Sequence, residues 1–365
     1  MSTRSIERRT PEVVVIGAGQ AGLSAAYHLV RMGFRPFVDV VVLDANSAPG
    51  GAWQHRWPSL TMYDVHGVAS LPGAVVPEAA GSEAANEFVP RYFADYEHRF
   101  TLPVLRPVTV QSVRDHAGTD DDGRLELVTD SGSWVTHTVV NATGTWDRPF
   151  VPSYPGIGSF RGRQLHTADY RGPGEFAGQH VVVVGGGHSA VQLLAEISEA
   201  ATTTWVTRRP PVWRTEEHLS PELGRQVVSQ VEERVRAGLP PQSVVQATGL
   251  FLRQQERTAA ARGVYDRQPM FEQILPDGVR WANGRTQQAD VILWATGFRA
   301  SLGHLAPLHL RAPSGGIRME GTRTARDPRV HLLGYGPSAS TIGGNRAGLA
   351  VARELRRLRR QSTAA

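Results

Sequence analysis

The chain contains no cysteine. A disulfide framework, a zinc thiolate site, an iron–sulfur cluster, a CxxC redox pair and a cysteine nucleophile are all excluded. Lysine is absent as well, so all 39 basic residues are arginine. That rules out a Schiff-base or pyridoxal-phosphate lysine and a P-loop GK[ST]. Long hydrophobic runs are also missing. Stretches such as Val13–Ile16 and Val181–Val184 fall far short of the ~18–20 apolar residues that span a bilayer, so no membrane partner is expected. The N-terminus, Met1–Thr10, is basic but leads into a glycine-bearing strand, not an apolar signal core. The cytoplasm is therefore the default location. Any chemistry must come from a cofactor or from His, Asp, Glu, Ser, Thr, Tyr or Arg.

What is present describes an ordinary globular protein. At roughly 150 residues per domain, 365 residues predict two domains, and 41% hydrophobic with 20% charged residues supplies real cores. The net charge of +5 comes from scattered arginines, which gives no footprint for a nucleic-acid partner. The densest run, Arg356, Arg357, Arg359 and Arg360, closes a helical pattern and reads as a solvated helix end complementing the macrodipole. No HxxxH-type pair stands out among the 13 histidines, and no metal site is expected.

The N-terminal pattern is the sharpest. Val13–Ile16 reads as a short buried strand and is followed at once by Gly17-Ala18-Gly19-Gln20-Ala21-Gly22. Leu23–Met32 then reads as a helix ending at Gly33, and a second apolar run, Val38–Leu43, ends in Asp44, 22 residues after Gly22. This is a βαβ unit with a GxGxxG turn and an acid near the ~20-residue spacing of a dinucleotide site. Gly17 permits the tight turn, and Gly19 leaves no side chain between backbone and diphosphate. The helix N-terminus offers free N–H groups. Asp44 would accept ribose hydroxyls and repel a 2′-phosphate, so this site suits FAD or NAD.

The design recurs mid-chain, 168 residues on. Val181–Val184 is the strand, Gly185-Gly186-Gly187-His188-Ser189-Ala190 the turn and Val191–Ala200 the helix; Thr204–Thr207 is the next strand. It ends in Arg208 and Arg209, with no acid in place, which suits the 2′-phosphate of NADP(H); the alternative is a pair of solvated arginines before Pro210. His188 could contact a diphosphate, although any small polar residue would serve there. Two such sites suggest a flavoenzyme that accepts hydride from NADPH.

Between the fingerprints, Val108–Val113, Leu125–Thr129 and Trp134–Asn141 read as strands, with a hairpin at Asp130–Ser133. Trp146–Gly158 is Pro- and Gly-rich and reads as a linker. Glu216–Arg262 is polar and helix-rich and carries no interpretable pocket code. Ala289–Trp294 and Arg329–Leu333 read as strands, and Gly348–Arg360 as a helix preceded by a glycine-rich turn, Ile342-Gly343-Gly344-Asn345.

Phe160-Arg161-Gly162-Arg163-Gln164-Leu165-His166-Thr167-Ala168-Asp169-Tyr170 fits FxGxxxHxxxY, just before the second fingerprint. The chain here resembles the flavin-containing monooxygenases, and its length resembles their short bacterial forms. The related Baeyer–Villiger monooxygenases carry Trp at the last position, so Tyr170 favours the former. Gly50-Gly51-Ala52-Trp53, Asn141-Ala142-Thr143-Gly144 and Ala295-Thr296-Gly297-Phe298 resemble the family's flavin-loop and hinge motifs. Further cofactor candidates on this resemblance are Gln54, Val110, Gly334 and Ile342. One departure is the loop Leu60-Thr61-Met62-Tyr63-Asp64-Val65-His66, which lacks the asparagine the family often places near the flavin; Asp64 or Thr61 could take its place or be ordinary loop residues. His166 sits where the family's two domains meet, with a structural role and proton transfer both open. Asp64, His166 and Tyr170 are the catalytic candidates.

The resemblance implies an α/β protein with two Rossmann-like dinucleotide-binding domains. Residues 1–150 and 296–365 would form a discontinuous FAD domain and 151–295 an inserted NADPH domain. It further implies that FAD, reduced by NADPH, captures O2 as a C4a-(hydro)peroxide that oxygenates a small molecule, either a soft nucleophile (sulfide or amine) or a ketone. A Baeyer–Villiger enzyme proper, an NADPH oxidase or flavin reductase, and a nucleotide-binding redox sensor are the alternatives. The oligomeric state, a homodimer included, is left open.

Overall fold

The computed structural model describes residues 9–65, 67–117, 123–214, 221–241 and 249–364. His66 and parts of the Glu216–Arg262 stretch (216–220 and 242–248) lie outside the described residues.

Among the described residues, seven strands form before residue 142: β1 (Val13–Ile16), β2 (Val40–Leu43), β3 (Val104–Leu105), β4 (Val110–Asp115), β5 (Leu125–Thr129), β6 (Gly132–Thr136) and β7 (Thr138–Asn141). Three follow before residue 208: β8 (Arg163–His166), β9 (His180–Val184) and β10 (Thr202–Thr207). The β-branched runs of β1, β2 and β9 are buried on both faces, as expected where helices cover a parallel sheet. In the first sheet β1 pairs in parallel with β2 on one side and β7 on the other, Ile16 lying opposite both Leu43 and Asn141. Val330–Leu332 pairs with β7, and the short strands Met319–Glu320 and Arg323–Thr324 extend that edge. The second sheet is wholly parallel, in the order Gln268–Pro269, β10, β9, Val291–Trp294, β8. β4, β5 and β6 make a separate antiparallel sheet.

The chain crosses between the two main sheets twice. β7 leads out to β8, and Val291–Trp294 leads back. The two crossings run side by side: Pro149 bridges Phe298 in antiparallel fashion, and the Phe150 N–H donates to the Gly297 carbonyl at 2.9 Å. The Thr296 hydroxyl donates to the Phe150 carbonyl.

Several sequence expectations change. Trp134–Asn141 is not one strand: it breaks at His137 into β6, which closes the small antiparallel sheet, and β7, which belongs to the first main sheet. The Thr136 hydroxyl makes the turn by donating to the Glu12 carbonyl at 2.9 Å. The strand expected at Val108–Val113 is displaced to Val110–Asp115. The glycine-rich Ile342–Asn345 is no turn but the opening of a 24-residue helix, Thr341–Ala364. Those glycines serve packing. A Cβ on Gly344 would lie 3.2 Å from the Ala21 Cβ, and one on Gly348 would lie 2.5 Å from the Ser24 Oγ. This C-terminal helix therefore seats directly against α1 (Gln20–Arg31). At its far end Arg359 is not merely solvated; it pairs with Glu12 and Asp39 and covers the Phe34 ring.

Candidate functional site

Both fingerprints are built alike. Gly17 has φ +98°, and a Cβ there would lie 2.6 Å from the Ala142 carbonyl oxygen; Gly185 has φ +146° and stands in the same relation to Ala295, at 2.1 Å. Each first glycine is therefore pressed against the Ala-Thr-Gly segment that ends the neighbouring strand. The second glycines, Gly19 and Gly187, would place a Cβ in open space with no atom within 4 Å. At the third position a Cβ on Gly22 would meet the Gly17 carbonyl oxygen at 1.9 Å, whereas the Ala190 methyl is accommodated and fully buried. Helix α1 starts at Gln20, earlier than expected. The second fingerprint helix, Val191–Ala200 in the sequence reading, spans His188–Ile197 and takes His188 and Ser189 into its first turn. Neither helix has a side-chain N-cap. Their N–H groups thus face open space beside a glycine, the arrangement that accepts an anion.

The first cradle has further walls. A Cβ on Gly51 would lie 2.8 Å from the Gly19 Cα, so the loop that carries Trp53 lies directly on the fingerprint. Gln54 braces that loop by donating to the Ala48 and Gly51 carbonyls. Gln20 donates to the Ala69 carbonyl and to Asn345 Oδ1 at 2.9 Å, binding the fingerprint to the C-terminal helix. Thr143 Oγ1 donates to the Ser301 carbonyl at 2.6 Å, and the Ser301 N–H donates to the Gly144 carbonyl. Asp44 is buried, its carboxylate accepting from Arg106 Nε at 2.8 Å and Asn46 Nδ2 at 3.0 Å. Arg106 reaches Glu97 with its other nitrogens at 2.6 and 2.7 Å. Burial opposes the Arg106 charge, but the hydrogen bonds and charges of Glu97 and Asp44 raise its pKa overall. Sequence reasoning missed Arg106, which lies 62 residues from its partner. Val110 and Gly334 are half-buried, Gly334 with φ +72°, and Ile342 is exposed at the helix start.

At the second cradle β10 delivers Arg208 and Arg209 to the surface, both exposed. Arg267, which the sequence did not single out, joins them: its Nε donates to Thr207 Oγ1 at 2.6 Å and its terminal nitrogen to the Thr207 carbonyl at 3.2 Å. Among the described residues none of the three is paired with a carboxylate. His188 is half-buried, and desolvation, with Arg253 nearby, pushes its pKa down to about 4.

The three catalytic candidates share no hydrogen bond. His166 ends β8 and is buried; its Nε2 faces the Gly297 carbonyl at 3.0 Å, while Nδ1 accepts the Ala168 N–H at 3.1 Å. That pairing requires the proton on Nε2, and burial keeps the ring neutral by lowering its pKa. Tyr170 is fully buried, stacks on Phe176, and donates to Glu196 Oε2 at 2.8 Å, an oxygen that Ser59 also reaches. Asp64 accepts the Thr61 hydroxyl at 2.6 Å, and its backbone carbonyl takes Gln192 Nε2 from the second fingerprint helix. Between the sheets, aromatic rings form a stack: His55 on Trp146, Trp146 on Phe298, and His166 edge-on to Phe298.

Comparison with known proteins agrees with this geometry. The pyridine nucleotide-disulphide oxidoreductase family matches residues 14–315. A flavin-containing monooxygenase from Stenotrophomonas maltophilia is 38% identical with a TM-score of 0.80, over 98% of this chain and 99% of that one. An uncharacterized CzcO-like oxidoreductase of Geobacillus kaustophilus is 26% identical over 79% of this chain and 80% of its own. A Baeyer–Villiger monooxygenase of Streptomyces coelicolor is 30% identical over 62% of this chain, which corresponds to 42% of that longer protein.

Proposed function

The chain belongs to the pyridine nucleotide-disulphide oxidoreductase family and, within it, to the flavin-dependent monooxygenases, with FAD and NADPH as cofactors; from that premise we propose that it oxygenates a soft nucleophile, a sulfide or amine. The observation that carries the proposal is the pair of open glycine cradles at uncapped helix N-termini, one followed by an acid and the other by arginines. Without cysteine the chain cannot pass electrons to a disulfide of its own, so a diffusible acceptor is required.

The residues present fit both cofactors. FAD would lie along Gly17–Gly22 with its adenosine ribose at Asp44, and Gly51 and Trp53 would cover it. NADPH would lie along Gly185–Ala190 with its 2′-phosphate among Arg208, Arg209 and Arg267. FAD, when bound, supplies hydride acceptance from NADPH and transfer of one atom of O2 to the substrate. The protein's own work is positional. The buried Asp44–Arg106–Glu97 network fixes the acid, and the two-stranded crossing at Pro149 and Phe298 sets one sheet against the other. His166 donates to the Gly297 carbonyl at that crossing, so we assign it a positioning role; Tyr170 and Glu196 anchor the second helix. Residues 1–150 and 296–365 would act as the FAD unit and 151–295 as the NADPH unit, in a cytoplasmic enzyme.

A second outcome, ketone oxygenation, is favoured by the Streptomyces relative. Purified protein given NADPH, O2 and thioanisole should yield the sulfoxide in step with NADPH consumption. Lactone or ester from a ketone panel would establish the second outcome. Conversion of all NADPH to hydrogen peroxide across sulfides, amines and ketones would refute oxygenation.

A further inference from the structure

Arg56 stands half-buried at the junction between the two sheets, with no counter-ion among the described residues. Its guanidinium carbon lies 5.1 Å from the Trp146 ring centroid and 5.7 Å from that of Trp53. Its Nε is shut off from solvent and has no hydrogen-bond partner among the described residues. Burial pulls its pKa below the usual arginine range, and no carboxylate among the described residues pushes it back. Arg106, whose side chain is 11% exposed, shows the usual solution, with two carboxylates engaged. A buried charge is costly unless it is paired, and aromatic faces replace a counter-ion only in part.

The surroundings point to an external partner. The loop that carries Arg56 rests on Gly19, the open glycine of the first cradle. Trp146 follows Gly144 at the exit of β7 and stacks on Phe298 of the returning crossing. Arg56 therefore borders the space where a dinucleotide and a substrate would meet.

We propose that Arg56 is an oxyanion-binding residue of the cleft, receiving either a phosphate of a bound dinucleotide or a carboxylate of the substrate. Both ligands offer oxygens onto which a guanidinium forks. The proposal rests on the dinucleotide reading for its phosphate arm only.

Arg56→Met and Arg56→Lys in the full chain test it. With FAD removed, Arg56→Met should melt at or above the temperature of the unmodified protein, because the half-buried, unpaired charge is gone. A fall of several degrees would make Arg56 a structural residue and overturn the proposal. FAD binding to the FAD-free protein is then followed by quenching of flavin fluorescence, NADP+ binding by difference spectra, and a carboxylate-bearing aryl sulfide is compared with its methyl ester as inhibitor. Arg56→Met should weaken at least one anionic ligand tenfold or more, with Arg56→Lys intermediate and the ester unaffected. Weakened FAD or NADP+ identifies a phosphate; loss of preference for the acid over the ester identifies a carboxylate. Unchanged constants for all three ligands would overturn the proposal. Failure of the unmodified protein to bind FAD would instead count against the proposed function, so the two failures are distinguishable.

Discussion

Two glycines of one turn should fail in different ways when replaced. Gly19 has φ −84° and ψ −171°, a backbone that any residue adopts, and its Cβ would meet nothing. Gly19→Ala should therefore cost only about 0.5–1 kcal/mol, from the poorer N-cap, a shift of about 1–4 °C in melting temperature. Gly22→Ala drives a methyl to 1.9 Å from the Gly17 carbonyl oxygen, backbone against backbone. Helix α1 must then lift from β1, which puts the cost at about 1–3 kcal/mol or more. For cofactor binding the order should reverse relative to stability. A side chain at Gly19 fills the space where the diphosphate would lie, so Gly19→Val should fold, purify colourless and bind FAD at least tenfold more weakly, about 1.4 kcal/mol. Circular dichroism melts of FAD-free protein measure the first effect and fluorescence titration with FAD the second. Gly19→Val protein that melts normally and binds FAD with an unaltered constant would refute the assignment of the open cradle. Gly187→Val offers the same contrast for NADP+.

The coenzyme preference should favour NADPH over NADH by roughly ten- to a hundredfold in KM, since each well-formed charged hydrogen bond contributes ~1.5–3 kcal/mol. Arg208→Gln should shrink that ratio, and Arg267→Gln should shrink it less, with reductive half-reaction kinetics as the measurement; equal constants in the unmodified protein would show that these arginines do not reach the ribose. Acid should destabilise the fold. Burial lowers the pKa of His331 to about 3 and of His304 to about 4, against 6.5 when unfolded. Their contribution is complete above pH 6.5 and is lost as pH falls, by about 2 kcal/mol each at pH 5; urea melts of His331→Leu should show a flatter pH dependence than those of the unmodified chain. Tyr170→Phe should lose about 1–2 kcal/mol of stability, because among the described residues the Glu196 carboxylate keeps only Ser59 as partner, while kcat stays within twofold; a kcat fall of a hundredfold at normal stability would make Tyr170 catalytic.

The legible parts of this protein are those where backbone sterics dictate residue type. Gly17 and Gly22 are written in the sequence because a Cβ at either would strike a carbonyl, and the runs in β1 and β9 because both faces are buried. Asp44 was legible from its spacing, but Arg106, which holds it, was not. Nothing local distinguishes one arginine among 39 basic residues, and the same anonymity hid Arg56 and Arg267. The break at His137 was invisible because both flanking strands carry the same β-branched pattern. The glycines at 343 and 344 misled for a related reason. Glycine marks a turn only when the backbone needs it; here Gly344 leaves room for the neighbouring helix and Gly343 for the preceding Pro337–Ser340 segment.

The hydrogen bond from Gln20 to Asn345 joins residues 325 apart, which has a bearing on synthesis. At a translation rate of ~5–20 residues per second, the first fingerprint emerges from the ribosome roughly 16–65 s before the helix that completes its cradle. Val330–Leu332, the neighbour of β7 in the first sheet, is also late. The nascent chain must therefore carry an unfinished, apolar sheet edge while the inserted second sheet, whose own strands lie between residues 163 and 294, is already able to form. Folding order should run from the middle outward, and the first cradle is complete for FAD only once Asn345 has emerged.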